Sequence, residues 1–320
     1  MFDPELESFK TGIDLRCYAA SQNYMLDRKE SWAGSAVMRH ADGDKIIIKR
    51  DADSHYVFFS VRDDADNGTI IDFVKRRLGC SLGTVRKELR PWMSMVSPVI
   101  PPYPALQKVP KDRIRVERAY ARMQIARSHP YLENERAIPR EILESRRFAG
   151  RVKIDARGNA IFPHDDENGL CGFELKSQTF TGFATGGTKG LWTSHIRTED
   201  RTLVLAEGAI DALSYATLFP DEAARYASIG GRMTPKQKEL IRSAAAVMPG
   251  AAVVIAAIDA DTAGTEIAEV IETAVRLTGR SDLRFERHSP EGNKHKDWND
   301  VLKSRPKPIL TSRQEEPAVS

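Results

Sequence analysis

The stretch LVLAEGAIDALS, residues 203–214, decides the fold. Leu203 to Ala206 form an apolar run suited to a strand buried on both faces. Glu207 and Gly208 end that run, and Asp211 follows one helical turn later. A buried strand thus delivers two carboxylates onto the start of a helix. In an open parallel sheet, ligand sites gather outside the carboxyl ends of the strands.

The surroundings repeat the pattern. TLVLAE (202–207), RYASIG (225–230), AAVVIAAID (251–259) and LRFERHS (283–289) read as strands. AIDALSYATLF (209–219), TPKQKELIRSAAAVM (234–248) and GTEIAEVIETAVRLT (264–278) read as helices. Alternating strands and helices predict an α/β fold with a parallel sheet covered by helices. Asp259 ends the third strand, Asp261 follows two residues later, and Gly264 permits a tight passage into the helix. Asp297 and Asp300 follow the last strand, within KDWND. Glu207, Asp211, Asp259, Asp261 and Asp297 are therefore candidates for one rim. Carboxylates this close repel one another unless a cation sits among them. Hard oxygen donors suit Mg²⁺ or Mn²⁺, the ions that stabilise attacking and leaving oxygens in phosphoryl chemistry. Helix capping is the plainer use of an Asp-x-Asp before a helix. The ordered set of two motifs about 50 residues apart is much more specific than either alone.

Upstream, NAIFPHDDENGLCGFELKS (159–177) predicts a hairpin around Asp165 to Gly169. RIRVERAYARMQIARS (113–128) predicts a basic amphipathic helix, and IPREILESRRF (138–148) a second helix. From Lys108 to Arg157 there are 14 Lys/Arg against 7 Asp/Glu, a net +7, whereas the whole chain carries +3. A basic middle beside an acidic remainder suits nucleic acid next to a metal site; a solvated helical face is the plainer reading. VSPVIPPYPALQKVP (96–110), with five prolines, predicts a semi-rigid linker. Before it, DKIIIKRD and HYVFFSVRD predict two strands, and GTIIDFVKRRLG and SLGTVRKELRPW two helices, the second capped by Ser81. The tail after Lys303 is polar and Pro-containing.

The chain of 320 residues has room for two or three domains. It has no apolar run of about 18 residues, so no membrane partner is expected. Three dispersed cysteines, Cys17, Cys80 and Cys171, argue against a disulfide framework and fit a reducing cytoplasm. GGTKG (186–190) lacks the spacing of a phosphate-binding P-loop; a turn carrying one functional lysine is the expectation. Trp298 is expected to anchor a core.

LVLAEGAIDALS and VVIAAIDADTAG (253–264) resemble the two motifs of the Toprim domain, shared by bacterial primases, type IA and II topoisomerases and some nucleases. The resemblance implies an acid/base or metal-binding role for Glu207 and metal binding for Asp259 and Asp261. ARGNAIFPHDDENGLCGFELKS, GGTKGLW, YASIGGRMTPKQ and KDWNDVL resemble segments of bacterial primases. By that resemblance Arg157, Lys176 and Lys189, with the loop at Gly230 and Gly231, bind nucleotide or template. HYVFFSVRDDADNGTIIDFV is similar to the primase zinc-binding domain, but no Cys-x-x-Cys occurs and His40 and His55 cannot complete a four-ligand site. No zinc is therefore expected. Tyr56 and Phe58 alternate with His55 and Phe59 there, for core packing on one face or base stacking on the other. The expected layout is a zinc-less domain (1–95), a linker (96–112), an α+β primase-core part (113–200), a Toprim domain (201–305) and a tail (306–320).

The arrangement also resembles small Toprim proteins of plasmids and integrative elements. It implies a primase-like nucleotidyltransferase acting on single-stranded DNA with ribonucleoside triphosphates, beside a helicase or relaxase of the same element. A metal-dependent nuclease and a non-catalytic single-strand-binding protein are the alternatives. No strand-passage domain of a topoisomerase is evident.

Overall fold

The computed structural model describes residues 3–51, 53–62, 66–94, 103, 106, 110–291 and 294–305. The proline-rich linker falls mostly outside these residues, and the tail from 306 wholly so. The chain forms two compact units, 1–116 with 175–187, and 117–174 with 188–320.

The first unit begins with α1 (Pro4–Gly12) and α2 (Leu15–Ser21). Strands β1 (Met25–Trp32), β2 (Ser35–Arg39), β3 (Lys45–Arg50), β4 (Tyr56–Ser60) and β5 (Asn67–Thr69) form an antiparallel sheet in chain order. Helices α3 (Ile70–Leu78) and α4 (Leu82–Ser94) complete it. The strand period of two sends Ile46, Ile48, Tyr56 and Phe58 into a core with Phe9, Tyr18, Phe73 and Leu89. Phe59 points the other way, 40% exposed, with Lys49 4.6 Å from its ring centre. The predicted strands and helices are present, and Ser81 Oγ accepts from the Thr84 N–H at 3.4 Å. The first 39 residues, which show little periodicity, contribute two helices and two strands that the sequence did not declare.

The second unit takes most of α5 (Arg113–Ala121), which is shorter than expected. Only Val116 of this helix is buried. Just beyond it, β6 (Gln124–Ile125) pairs with β7 (Lys153–Ile154), so a long-range ladder replaces the last helical turns. A π-helical turn, Tyr131–Glu135, precedes α6 (Arg140–Glu144). The expected hairpin is β8 (Ala160–Asp166) with β9 (Gly169–Lys176). The short β10 (Thr181–Phe183) groups with the first unit.

The remainder carries β11 (Trp192–Thr193), β12 (Thr202–Ala206), α7 (Ala209–Leu218), β13 (Ala224–Ser228), α8 (Pro235–Ala246), β14 (Val253–Ala257), α9 (Thr262–Arg276), β15 (Arg284–His288) and α10 (Trp298–Ser304). The sheet order is β11-β13-β12-β14-β15, parallel except for β11 at the edge. Both faces are covered, as the continuous apolar strands predict. Val204 and Ala206 join Ala212 and Leu213 of α7 and Trp298 and Leu302 of α10. Leu203 and Leu205 join Ile241 and Ala245 of α8 and Ala268 and Ile271 of α9. The three cysteines are free thiols. Among the described residues, no helix is long and apolar enough to cross a membrane.

One charged pair is built into this unit. Arg147 lies 2.8 Å from Asp200, both buried, and also donates to the carbonyls of His195 and Glu222. Removing one partner of a buried pair strands the other charge, at roughly 3–5 kcal/mol. Asp200→Ala is expected to lower the urea midpoint of this unit accordingly; an unchanged midpoint would show that the pair carries no weight.

Candidate functional site

Parallel register pairs Ala206 of β12 with Ala257 of β14. Glu207 and Asp259 therefore leave neighbouring strands at the same end of the sheet. The helices that follow, α7 and α9, start there, and so does α10. Their N-termini bring the positive ends of three helix dipoles.

Gly208 caps α7 with extended backbone and no side-chain bond. A Cβ at this position would lie 2.9 Å from Oδ2 of Asp211. The space that the glycine leaves is thus filled by its neighbour's carboxylate. Gly264 is needed for a different reason. Its Cβ would fall 2.3 Å from the Asp259 carbonyl oxygen, so only glycine lets α9 start against the strand end. Asp261 caps α9, accepting the Gly264 N–H at 2.7 Å, and Asp297 caps α10, accepting the Asp300 N–H at 2.7 Å. The capping use weighed from sequence for the Asp-x-Asp pair is real at Asp261, Asp297 caps in the same way, and the cap occupies one oxygen of each.

Asp259 has no such use. It is 9% exposed, and its Oδ1 is buried without a hydrogen-bond partner. Burial first, then the charges of Asp211, Glu207, Asp297 and Asp261, push its pKa up to about 9. The other four acidic candidates thus all act on Asp259. A buried oxygen with no donor, under the charge of four other carboxylates, suits a hard divalent cation such as Mg²⁺ or Mn²⁺.

Two residues that sequence reading missed complete one side. Asn299, buried in α10, donates from Nδ2 to the Arg136 carbonyl at 2.7 Å and to Ser214 Oγ at 2.9 Å, while its backbone N–H approaches Asp211 at 3.4 Å. Arg136 follows the π-helical turn and donates to Tyr131 Oη at 2.9 Å. Burial works against its charge, but Tyr131, Asp297 and Asp211 outweigh it and raise its pKa. The only sequence signal for Asn299 was its place between Asp297 and Asp300; for Arg136 there was none.

The other candidates separate. Gly230 and Gly231 adopt φ of 67° and 79°, which glycine tolerates best, and donate their N–H groups to the Glu207 carbonyl at 2.9 and 3.1 Å. Lys189 Nζ donates to the carbonyls of Gly230 (2.5 Å) and Arg232 (3.2 Å). This loop and its lysine thus brace the strand end that carries Glu207. Arg157 is exposed in the turn before β8, its N–H donating to Asp155 at 2.9 Å. Lys176 closes β9, half-buried, and groups with the first unit. Beside Asp261 lies an open recess of about 570 Å³, lined by Ala260, Asp261, Thr262, Thr265, Arg287 and Ser289. Arg287 donates to Thr265 Oγ1 there at 2.8 Å.

Among the described residues, the set of three whose ligand atoms lie within 4.8 Å of one another is not the strand-end acids but Asp51, Asp53 and His55 of the first unit. Asp51 Oδ1 already accepts the N–H groups of Asp53 and His55 at 2.9 Å, and His55 Nε2 meets Glu7. That set closes a loop on itself.

A raised carboxyl pKa means that the folded state keeps a proton the unfolded chain releases near pH 3.9. Between that value and about 9 the unfolded state binds fewer protons, so this group's contribution to stability falls as pH rises. Without divalent ions, the melting temperature of the wild type relative to Asp259→Asn should therefore fall from pH 5 to pH 8. A pH-independent difference would show that Asp259 is ionised throughout. Adding Mg²⁺ or Mn²⁺ should flatten the difference.

Comparison with known proteins agrees with this geometry. Residues 204–302 match the family model described as Toprim-like, and residues 130–199 match that of a protein of unknown function (DUF3991). No curated protein matches. Among solved structures, one similar chain comes from the structure of bacteriophage T7 lagging-strand DNA polymerase interacting with primase domains of two gp4 subunits bound to an RNA/DNA hybrid and dTTP. It shares 20% identity over 47% of this chain and 76% of that one, with a TM-score of 0.33, a loose overlap from which no activity is carried over. The strand-end acids, the doubly covered parallel sheet and the family match together identify residues 204–302 as a Toprim-like domain.

Proposed function

We propose that the chain is a primase-like nucleotidyltransferase that joins ribonucleotides on single-stranded DNA. The observation that carries this reading is the gathering of Glu207, Asp211, Asp261 and Asp297 around the buried Asp259 at the strand ends of a Toprim-like domain. The upstream segments that resemble bacterial primases favour polymerisation over cleavage.

In this reading Glu207, Asp211, Asp259, Asp261 and Asp297 would hold Mg²⁺ or Mn²⁺. A divalent ion bound there supplies positive charge to the phosphate oxygens as a phosphodiester forms. The chain's own residues do the rest. Asp259, in its ionised form, would be one of those ligands. Glu207, fixed through its carbonyl by Gly230 and Gly231, presents a carboxylate to an attacking hydroxyl. Arg136 and Asn299 hold Asp211 and Asp297 in place. Arg287, set in the recess beside Asp261, offers a guanidinium to a phosphate, and the basic stretch from Lys108 to Arg157 attracts the template backbone. Arg157 and Lys176 belong to that template-facing set, whereas Lys189 acts through the loop it braces. The division into a zinc-less domain, linker, primase-core part, Toprim domain and tail goes with this reading. So does service to a plasmid or integrative element beside its helicase or relaxase.

The test is primer synthesis on single-stranded DNA with labelled ribonucleotides and Mg²⁺ or Mn²⁺. Short labelled products are expected from the wild type and none from Asp259→Ala. Shortening of the template by the wild type alone would replace this reading with a nuclease. Neither activity, with DNA binding intact in the mutant, would replace it with a binding protein.

A further inference from the structure

His164 and Glu174 sit on β8 and β9, 0% and 5% exposed, with Nε2 and Oε1 2.8 Å apart. His164 Nδ1 faces the Gly190 carbonyl at 2.8 Å. A carbonyl only accepts, so Nδ1 carries a proton. One further proton then lies between Nε2 and Oε1, so the two side chains hold each other through a charge-assisted hydrogen bond. The proposed reaction gives this pair no role.

The pair touches the brace described above. A Cβ on Gly230 would fall 2.2 Å from Oε1 of Glu174 and 3.0 Å from Cε1 of His164, so the bare backbone of Gly230 lies directly on the pair. The fully buried Gln237 donates from Nε2 to the Gly190 carbonyl (2.7 Å) and to the Ile229 carbonyl (2.6 Å). The Gly190 carbonyl therefore receives both His164 and Gln237, and Gln237 ties it to the residue before Gly230. From Gly230 and Gly231 the N–H groups run to the carbonyl of Glu207.

We propose that the buried His164–Glu174 pair is a positioning device for Glu207, setting the Gly230–Gly231 loop that fixes the end of β12. It decides where the Glu207 carboxylate stands. This inference rests on the reading of the strand-end carboxylates as a divalent-ion site.

A double-mutant cycle read by Mn²⁺ binding tests it, using electron paramagnetic resonance of free Mn²⁺ with the full chain. Glu174→Ala opens space behind Gly230 and is expected to weaken Mn²⁺ binding about tenfold, as losing the support behind a ligand does. Glu174→Gln, which can still donate to a neutral His164, is expected to bind near the wild-type level. In a Glu207→Ala background, adding Glu174→Ala should change nothing further, because the ligand that the pair positions is gone. Equal weakening in both backgrounds, or no weakening in either, would overturn the proposal. Wild-type protein that takes up no Mn²⁺ would instead overturn the metal reading itself, and this inference with it. Should Glu174→Ala fail to fold, Gly230→Ala strains the same contact from the loop side and takes its place in the cycle, with the same expectations.

Discussion

Everything near the sheet's carboxyl edge answers to one electrostatic constraint, the burial of Asp259 among four other carboxylates. Like charges at short range in a region of low dielectric repel far more strongly than in water. The protein meets that repulsion with several separate measures. Burial and its neighbours push Asp259 toward its protonated form. Asp261 and Asp297 spend an oxygen on helix N–H groups. Three helix N-termini point at the cluster, and Arg136 stands beside Asp211 and Asp297. Each measure lowers the repulsion and none abolishes it. On the reading proposed above, what is left is an affinity for a small, hard, doubly charged ion.

That part of the design was legible in the sequence because the relevant signals are local. A buried parallel strand shows as a run such as LVLA, and the residue ending it sits at the ligand-binding edge by topology alone. Glu207, Asp259 and Asp261 could thus be placed from the order of residues. The helices from α7 to α9 followed from apolar spacing and from cap residues such as Thr234, whose box with Gln237 opens α8. What escaped were contacts between residues far apart in the chain. Arg136 and Asn299 are 163 positions apart, and nothing in either neighbourhood announces the other. The same holds for β6, a strand two residues long that exists because β7 is there to pair with it. A helical pattern ran straight through it.

The glycines and the lysine show a subtler limit. The sequence marks these positions as binding residues, but composition does not say whether a Gly-rich loop offers its N–H groups to a ligand or to its own chain. Here Gly230 and Gly231 give theirs to Glu207, and Lys189 gives its ammonium to the loop. At Gly208 the missing side chain makes room for a neighbouring carboxylate. A motif read as a binding surface is, in this protein, partly a scaffold for the acid beside it.

The two roles carried by Asp261 and Asp297 bear on how this fold would age. Both hold a helix start as well as facing the cluster, so selection for folding alone would preserve them. Asp259 supports no helix and stays buried against repulsion, so only function protects it. In a descendant that had lost its chemistry, the second aspartate of the Asp-x-Asp pair would outlast the first. The surviving cap would then look like a remnant of activity while testifying only to a stable helix. Loss of Asp259 with Asp261 retained is the pattern by which a silent copy of this domain would declare itself.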